Sequence, residues 1–400
     1  MAVRHCRLKI GQSVSGKDSA MLILLLVCVL LAFWLQYRIY RRYWYRKLEI
    51  VTRFEDSYAY EGDMSCLKEE IVNDKRMPLP AVEVRLSMSR NLLFMGEAKE
   101  NTNVTDLSYK RDIFSLFLRQ KVIRTLPFVC KKRGFYQIRQ AEVVGSDFFF
   151  EKEFYLTVPQ QTQMYVYPAQ IDVRRIELIC QAVSGMVLVQ NHLYPDPFEF
   201  AGIREYRPGD PMRQINWKAS ARSEDMMVNQ YDSTTNIQGT VILDVEDSGI
   251  LKYDALTEEA IRIAASLVAR MIRGKMELQI VSNAVYQNHD REEPQEEKLS
   301  LHMKAGGGRL QELNRRLACV DTARTTETVC EVIEKEIQKH NFGQIYVVIS
   351  KNQTEVVQKS LRLLANAGQI VWVVPVYPDM ELTVSGSREI RVMRWEVEPC

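Results

Sequence analysis

The sequence predicts one N-terminal transmembrane helix, then a β-sandwich, then an α/β domain on a doubly wound sheet. Three observations carry this reading. Ala20 to Leu35 is an unbroken apolar run, short alternating segments recur from Leu48 to about Pro168, and apolar runs alternate with amphipathic helices after residue 233. The first pattern suits a bilayer span, the second an antiparallel sandwich, and the third a parallel sheet covered on both faces.

The span is placed over 19–37, behind a tail of residues 1–18. Its far end carries Trp34, Tyr37, Tyr40, Tyr43, Trp44 and Tyr45, interleaved with Arg38, Arg41, Arg42, Arg46 and Lys47. Aromatic rings at headgroup level followed by cations describe a membrane exit. Phe33-Trp34-Leu35 follows the apolar core where a cleaved leader needs small residues, so the span is read as retained. Arg4, Arg7, Lys9 and Lys17 precede it and five cations follow. The balance leans toward a single-pass plasma-membrane protein with a cytoplasmic body. Eight scattered cysteines without a CxxC pair fit a reducing compartment. The net charge of +2 gives no basic field and argues against a nucleic-acid partner.

In the sandwich, placed over 48–168, strands are predicted at Leu48–Val51, Ser65–Val72, Val82–Leu86, Phe135–Ile138 and Phe154–Val158. Glu61-Gly62-Asp63 and Met77-Pro78-Leu79-Pro80 read as turns, and Gly96–Thr105 as a polar loop. In the α/β domain, placed over 233–400, strands fall at Thr240–Asp244, Leu278–Val281, Ile345–Ile349 and Ile370–Val374. Helices are predicted over Thr257–Arg273, Glu327–His340 and Glu355–Ala367, the first stopped by Gly274 and the last by Gly368. Asn288–Lys298 is charge-rich and reads as a solvated loop. Ligands of such sheets bind beyond the carboxyl ends of the strands, which puts Asp244 to Ser248 at the edge of a site.

Between the two domains, in a module spanning 198–232, lies the run FAGIREYRPGDPMRQINWKASAR, residues 200–222. Pro208 and Gly209 suit a type II turn, and Asp210 then Pro211 suit a helix N-cap and first position. Four residues apart, Arg213 and Trp217 would share one helical face, while Arg204 and Tyr206 would share one strand face. Arg204, Arg213 and Arg222 near an indole make a grip for a carboxylate or phosphate. The competing reading has the arginines neutralising acids of the same chain and Trp217 in the core, where its truncation would cost roughly 3–5 kcal/mol.

The pattern F…RxYxxGDxxRxIxWxxxAR resembles the signature of the "domain of unknown function 58" family. Phe200, Arg204, Tyr206, Gly209, Asp210, Arg213, Ile215, Trp217, Ala221 and Arg222 match it. Upstream, Arg133, Gly134, Tyr136, Asp147 and Phe148 resemble the family's RGxY…SDPF element, with Phe149 where proline is usual. The resemblance spans roughly residues 45–400. It implies a von Willebrand factor A-like C-terminal domain, whose metal-ion-dependent adhesion site begins DxSxS at the end of its first strand. Here the segment is Asp244-Val245-Glu246-Asp247-Ser248, so Glu246 replaces the middle serine. Mg²⁺ or Ca²⁺ held by Asp244, Glu246 and Ser248 is one reading, and an acidic loop without metal is the other.

The resemblance also implies work beside a MoxR-type AAA+ ATPase, as an adaptor in assembly or remodelling. Family members often begin with two spans, and this chain shows one. Gly306-Gly307-Gly308-Arg309 lacks the Gly-Lys-Ser/Thr ending of a P-loop, and the five histidines have no recognisable catalytic spacing. The chain is therefore expected to be a non-enzymatic, membrane-anchored scaffold. A cation-dependent adhesion module, and a metal-assisted hydrolase using Asp244, Glu246 and Asp247, are the competing classes.

Overall fold

The computed structural model describes residues 16–95, 107–147, 150, 152–193, 200–208, 210–223, 225–231, 238–247, 252–274, 276–289, 295–303, 309–339, 344–384, 386–387 and 389–398. Its contacts divide the chain into two compact units. The first holds residues up to Ser57, Met64–Val129 and Tyr136–Met164; the second holds Tyr58–Asp63, Cys130–Phe135 and Tyr165 onward.

The first unit begins with α1 (Gly16–Tyr43), which carries an 18-residue window of mean hydropathy 2.5 with no residue of it buried. One N-terminal helix is thus long and apolar enough to cross a membrane. It runs past the predicted end at Tyr37, and the aromatic cluster there is only partly a surface belt. Tyr40 and Trp44 are 5% and 4% exposed. The Tyr40 hydroxyl donates to the Pro78 carbonyl at 2.9 Å. Trp44 lies against Gly145, where a Cβ would come within 2.4 Å of the indole. Glycine is therefore required at 145 by close packing.

Among the described residues nine strands follow in the chain, β2 among them belonging to the second unit: β1 (Leu48–Phe54), β2 (Tyr58–Tyr60), β3 (Met64–Asn73), β4 (Leu79–Ser89), β5 (Leu92–Phe94), β6 (Leu107–Leu116), β7 (Gln120–Cys130), β8 (Gly134–Ser146) and β9 (Glu153–Tyr167). They form two sheets, ordered β1-β3-β7-β5 and β2-β9-β8-β4-β6. Alternating burial along β3 and β4 turns Leu67, Ile71, Val82, Val84 and Leu86 inward, the period-2 pattern of a half-buried strand. Gln160 of β9 joins the sheets at β1, accepting from the Thr52 N–H at 2.9 Å and donating to the Ile50 carbonyl at 2.9 Å. The predicted turn at Met77–Pro80 is corrected: β4 already begins at Leu79, because Pro80 sits near its start, where a missing donor is tolerated. The predicted loop Gly96–Thr105 lies outside the described residues.

A charged cluster interrupts this apolar interior. Glu69 of β3 is 1% exposed, and neither of its oxygens meets a donor, nor does Oδ2 of the buried Asp112 on β6. The Arg124 guanidinium pairs with Asp112 Oδ1 at 2.6 Å. Burial, reinforced by the Asp112 charge, pushes the Glu69 carboxyl up to about 7 against the opposing pull of Lys110 and Arg124.

The second unit contains α2 (Val173–Leu193), β10 (Phe200–Glu205), α3 (Trp217–Ser223), β11 (Met227–Tyr231), β12 (Gln238–Leu243), α4 (Asp254–Arg273), β13 (Glu277–Asn288) and β14 (Gln295–Met303). After these come α5 (Leu310–Ala318), β15 (Val320–Thr325), α6 (Val329–Gln338), β16 (Gln344–Ile349), α7 (Glu355–Leu364), β17 (Gly368–Val376) and β18 (Ile390–Glu396). The main sheet runs β14-β13-β12-β16-β17-β18, with β15 pairing β13. From β13 to β18 along that order the strands are parallel, while β14 and β15 are antiparallel. The polar stretch predicted as a loop to Lys298 instead pairs as β14 from Gln295, with exposed Lys298, Ser300 and His302 alternating with buried Leu299, Leu301 and Met303.

Alternate residues of each strand bury on opposite faces. Val241, Leu243, Val347 and Val371 pack with α2, α4 and α5, whereas Ile242, Tyr346, Val348 and Trp372 pack with α6 and α7. Thr328 caps α6 by accepting the Glu331 N–H. A buried guanidinium fixes the far end of α5. Arg133 is 6% exposed, pairs with Glu258 at 2.6 Å and donates to the carbonyls of Leu317, Ala318 and Val320. All six described cysteines are free thiols.

Candidate functional site

The signature module is a two-stranded ribbon carrying a short helix. β10 and β11 pair antiparallel from Phe200↔Tyr231 to Glu205↔Met227, and Ile215 bridges Val228. Those two apolar residues are the module's small core, 6% and 1% exposed. Along β10 and the residue after it, Arg204 and Tyr206 are half-buried while Ile203 and Glu205 are exposed, the alternation of a shared strand face.

The helix differs from expectation. A single 3₁₀ turn spans Met212–Gln214 and α3 starts only at Trp217, so Arg213 and Trp217 do not share a helical face. Asp210 is not a helix cap either. Arg204 grips both its oxygens, at 2.7 and 2.8 Å, and the Arg207 N–H donates to it at 2.8 Å. The guanidinium first, and that N–H second, hold the Asp210 carboxyl down to about 2. Here the ion pair outcompetes capping, since a bidentate charged bond is stronger than a bond to a neutral N–H. The true cap is Asn216, whose Oδ1 accepts the Ala219 N–H at 2.9 Å and whose amide donates to Asn229 at 2.7 Å. An Asn directly before Trp217 was the available signal for it. Gly209 lies outside the described residues.

Arg204 is thus consumed internally, whereas Arg213, Trp217 and Arg222 face outward. Trp217 is 67% exposed, as is Met212. Arg213, Lys218 and Arg222 are exposed too. The core reading of Trp217 is overturned: with Ile215 and Val228 filling the ribbon's interior, α3 has no buried residue.

The strand-end site forms where β12 and β16 finish side by side, as the topology requires. Asp244 is 2% exposed. Its Oδ1 accepts from the Glu246 N–H at 2.9 Å and from Asn283 Nδ2 at 2.8 Å, and its Oδ2 accepts from Ser350 Oγ at 2.6 Å. Burial raises the Asp244 carboxyl above the ordinary range even though these donors pull it down. Burial, then the Asp244 charge, raises Glu246 likewise. Asp247 points elsewhere: it accepts the Tyr253 N–H at 2.7 Å and pairs with the Lys351 ammonium at 2.7 Å. Lys351 also donates to Thr257 Oγ1 at 2.6 Å, with its side chain 10% exposed.

This donor set does not fit a divalent cation. Both Asp244 oxygens already hold short bonds, and a lysine ammonium supplies the positive charge beside Asp247. Among the described residues no group of three or more His, Cys, Asp or Glu side chains is arranged to hold a metal. Ser248 lies outside the described residues. Sequence reading missed Asn283, Ser350 and Lys351, which are distant in the chain. Their signal was positional, since Ser350 and Lys351 directly follow a predicted strand end.

Comparison with solved structures gives partial likenesses at low identity. The CARDB domain of the PF1109 protein from Pyrococcus furiosus is 14% identical over 30% of this chain and 96% of its own, with a TM-score of 0.19. A PapD-like domain of human CEP192 is 13% identical over 42% of this chain and 97% of its own, with a TM-score of 0.18. A non-cellulosomal cohesin from Archaeoglobus fulgidus is 12% identical over 30% of this chain and 91% of its own, at 0.20. Scores of this size carry no argument about fold or function. No curated protein matches the chain. The sequence profile described as "Protein of unknown function DUF58" does match, over residues 202–392, which include the whole ribbon from Gly202 and the parallel sheet. Over that region the chain matches the DUF58 family.

Proposed function

We propose that this protein is a non-enzymatic adaptor held in the plasma membrane by α1, with a cytoplasmic body that docks a MoxR-type AAA+ ATPase through the signature module. The observation that carries the reading is Trp217, a large apolar ring left 67% exposed on a module whose own core is complete. Exposed tryptophan and arginine are the residue types that dominate protein–protein hot spots. Arg213 and Arg222, exposed on the same module, suit an acidic partner surface, while the Arg204–Asp210 clamp keeps the ribbon rigid enough to present them.

The parallel sheet with helices on both faces, and Asp244 at the end of its first strand, support a von Willebrand A-like reading of the C-terminal part. In that reading the protein's own Lys351 takes the role of the cation. The three donors already bonded to Asp244 and the ammonium beside Asp247 disfavour both alternatives, since adhesion and hydrolysis each need an open coordination position. The test is crosslinked affinity purification of the tagged full chain from its own membranes with ATP and Mg²⁺, alongside Trp217→Ala. Recovery of a MoxR-type ATPase with wild type and its loss with the variant is the expected result. Equal recovery with both would refute the docking surface.

A further inference from the structure

One end of the first unit gathers features that the adaptor role does not use. The register pairs Leu48 with Asn73, Asn73 with Gln120, Leu79 with Leu116, and Val82 with Gly145. That pairing brings three connections to the end where α1 joins β1: the β3–β4 link, the β6–β7 turn and the β8–β9 turn. Direct bonds tie them to the helix exit. Asn73 donates to the Phe117 carbonyl at 2.8 Å, the Arg119 N–H to the Lys75 carbonyl at 3.1 Å, and the Lys75 ammonium to the carbonyls of Trp44 and Arg46. The β8–β9 turn reaches further back along α1. Lys152 lies over the Tyr37 ring at 4.4 Å, and Phe154 stacks on it at 6.1 Å. Tyr37 is about 9 Å deeper along the helix axis than Tyr43, at 1.5 Å per residue.

The tips of two of these turns are apolar and point to solvent. Phe117 is 68% exposed, Leu118 53% and Phe150 64%. Exposed cations lie in the same turns and at the helix exit (Arg46, Lys47, Arg76, Arg119 and Lys152), and they outnumber the exposed acids there, Glu49, Asp74 and Glu153, while Asp147 is buried. Among the described residues only Lys47, Arg119 and Phe150 are non-glycine residues at positive φ, at 52°, 51° and 57°, and all three sit in turns at this end. Left-handed backbone in such residues is strained, and strain of this kind concentrates where function holds a loop in a set shape.

We propose that this end of the first unit is a membrane-contacting face. Phe117, Leu118 and Phe150 enter the headgroup–acyl boundary of an anionic bilayer, and the flanking cations meet its lipid phosphates. The bilayer is the occupant because α1 delivers it there: the turns are bonded to the residues at which the apolar helix ends. Aromatic and aliphatic side chains ringed by Lys and Arg are the composition that binds this boundary. Two turns gripping the interface beside one helix would fix the tilt of the first unit, which a single span leaves free. The proposal rests on the reading of α1 as a membrane span.

The test uses the full chain reconstituted in phosphatidylcholine–phosphatidylglycerol vesicles, with an encoded solvatochromic fluorophore at one position at a time. Position 26 reports the helix, 117 and 150 the two tips, and 64, at the other end of β3, the water-exposed control. Spin-labelled lipids with the label at shallow or deep positions read the depth. The expected result is deep quenching at 26, shallow quenching with a blue shift at both 117 and 150, and neither at 64. Quenching at 26 with water-like emission at either tip overturns the two-tip face but leaves the span intact. Absence of quenching at 26 removes the span itself, and the proposal with it.

Discussion

At the scale of single residues, Trp217 and Lys351 decide the account, and each contradicts what its neighbours in sequence suggest. Trp217 belongs to a dense run that reads equally well as core or as surface, and only the packing of Ile215 on Val228 makes it superfluous inside. Trp217→Ala should therefore leave stability within about 0.5 kcal/mol of wild type, as for surface positions free of special contacts. Thermal unfolding checks this, and a loss near the 3–5 kcal/mol of a buried ring would restore the core reading. Lys351 makes the opposite case. Its ammonium neutralises Asp247 in a crevice where both side chains are almost fully buried. Lys351→Ala removes that carboxylate's cationic partner in a buried site, so the expected cost is about 3 kcal/mol, measured as a fall in denaturation midpoint. EDTA should leave the wild-type midpoint unchanged, and a fall on chelation would show that a metal does contribute.

Among the elements, the buried faces were legible and the edges were not. The apolar runs of β12, β16 and β17 and the periodicity of α4 named their elements within a few residues, because burial on both faces forces continuous apolar sequence. β6, β7 and β14 escaped notice, since Arg111, Lys121, Arg124 and Glu296 make their exposed faces as polar as a loop. The strand-end site was half legible: Asp244 was found by its place after β12, but Asn283 and Ser350 become its partners only through strand order.

The same blindness hides Glu69, which reads as a surface residue of an alternating strand yet lies against Asp112 of the other sheet. Its pH effect has a definite sign. The folded-state value of about 7 lies above the unfolded value near 4.5, so its stabilising protonated form is fully present below the lower value and is lost as pH rises through the higher. The interval corresponds to about 3 kcal/mol. The first unit should lose thermal stability between roughly pH 5 and 8, and Glu69→Gln, which keeps a neutral donor facing Asp112, should flatten that slope. An unchanged slope in the variant would assign the loss to other groups.

For the whole molecule, the sequence announced an apolar helix, a strand-rich part and an α/β part. It could not announce that Tyr58–Asp63 and Cys130–Phe135 join the second unit. That assignment depends on pairs such as Arg133 with Glu258 and Arg262 with Glu61, separated by 125 and 201 residues. Buried pairs of this kind leave no local pattern, because a charged residue in a turn is the ordinary case. The arrangement leaves the signature module's exposed indole as the feature most in need of a partner. The most direct test is photo-crosslinking in native membranes from a benzophenone amino acid at position 217, with position 64 as control. The account predicts a crosslink from 217 to an AAA+ ATPase subunit, absent from 64. A crosslink from 217 to the chain itself, or to no protein while the ATPase still copurifies, would contradict the docking role of this module.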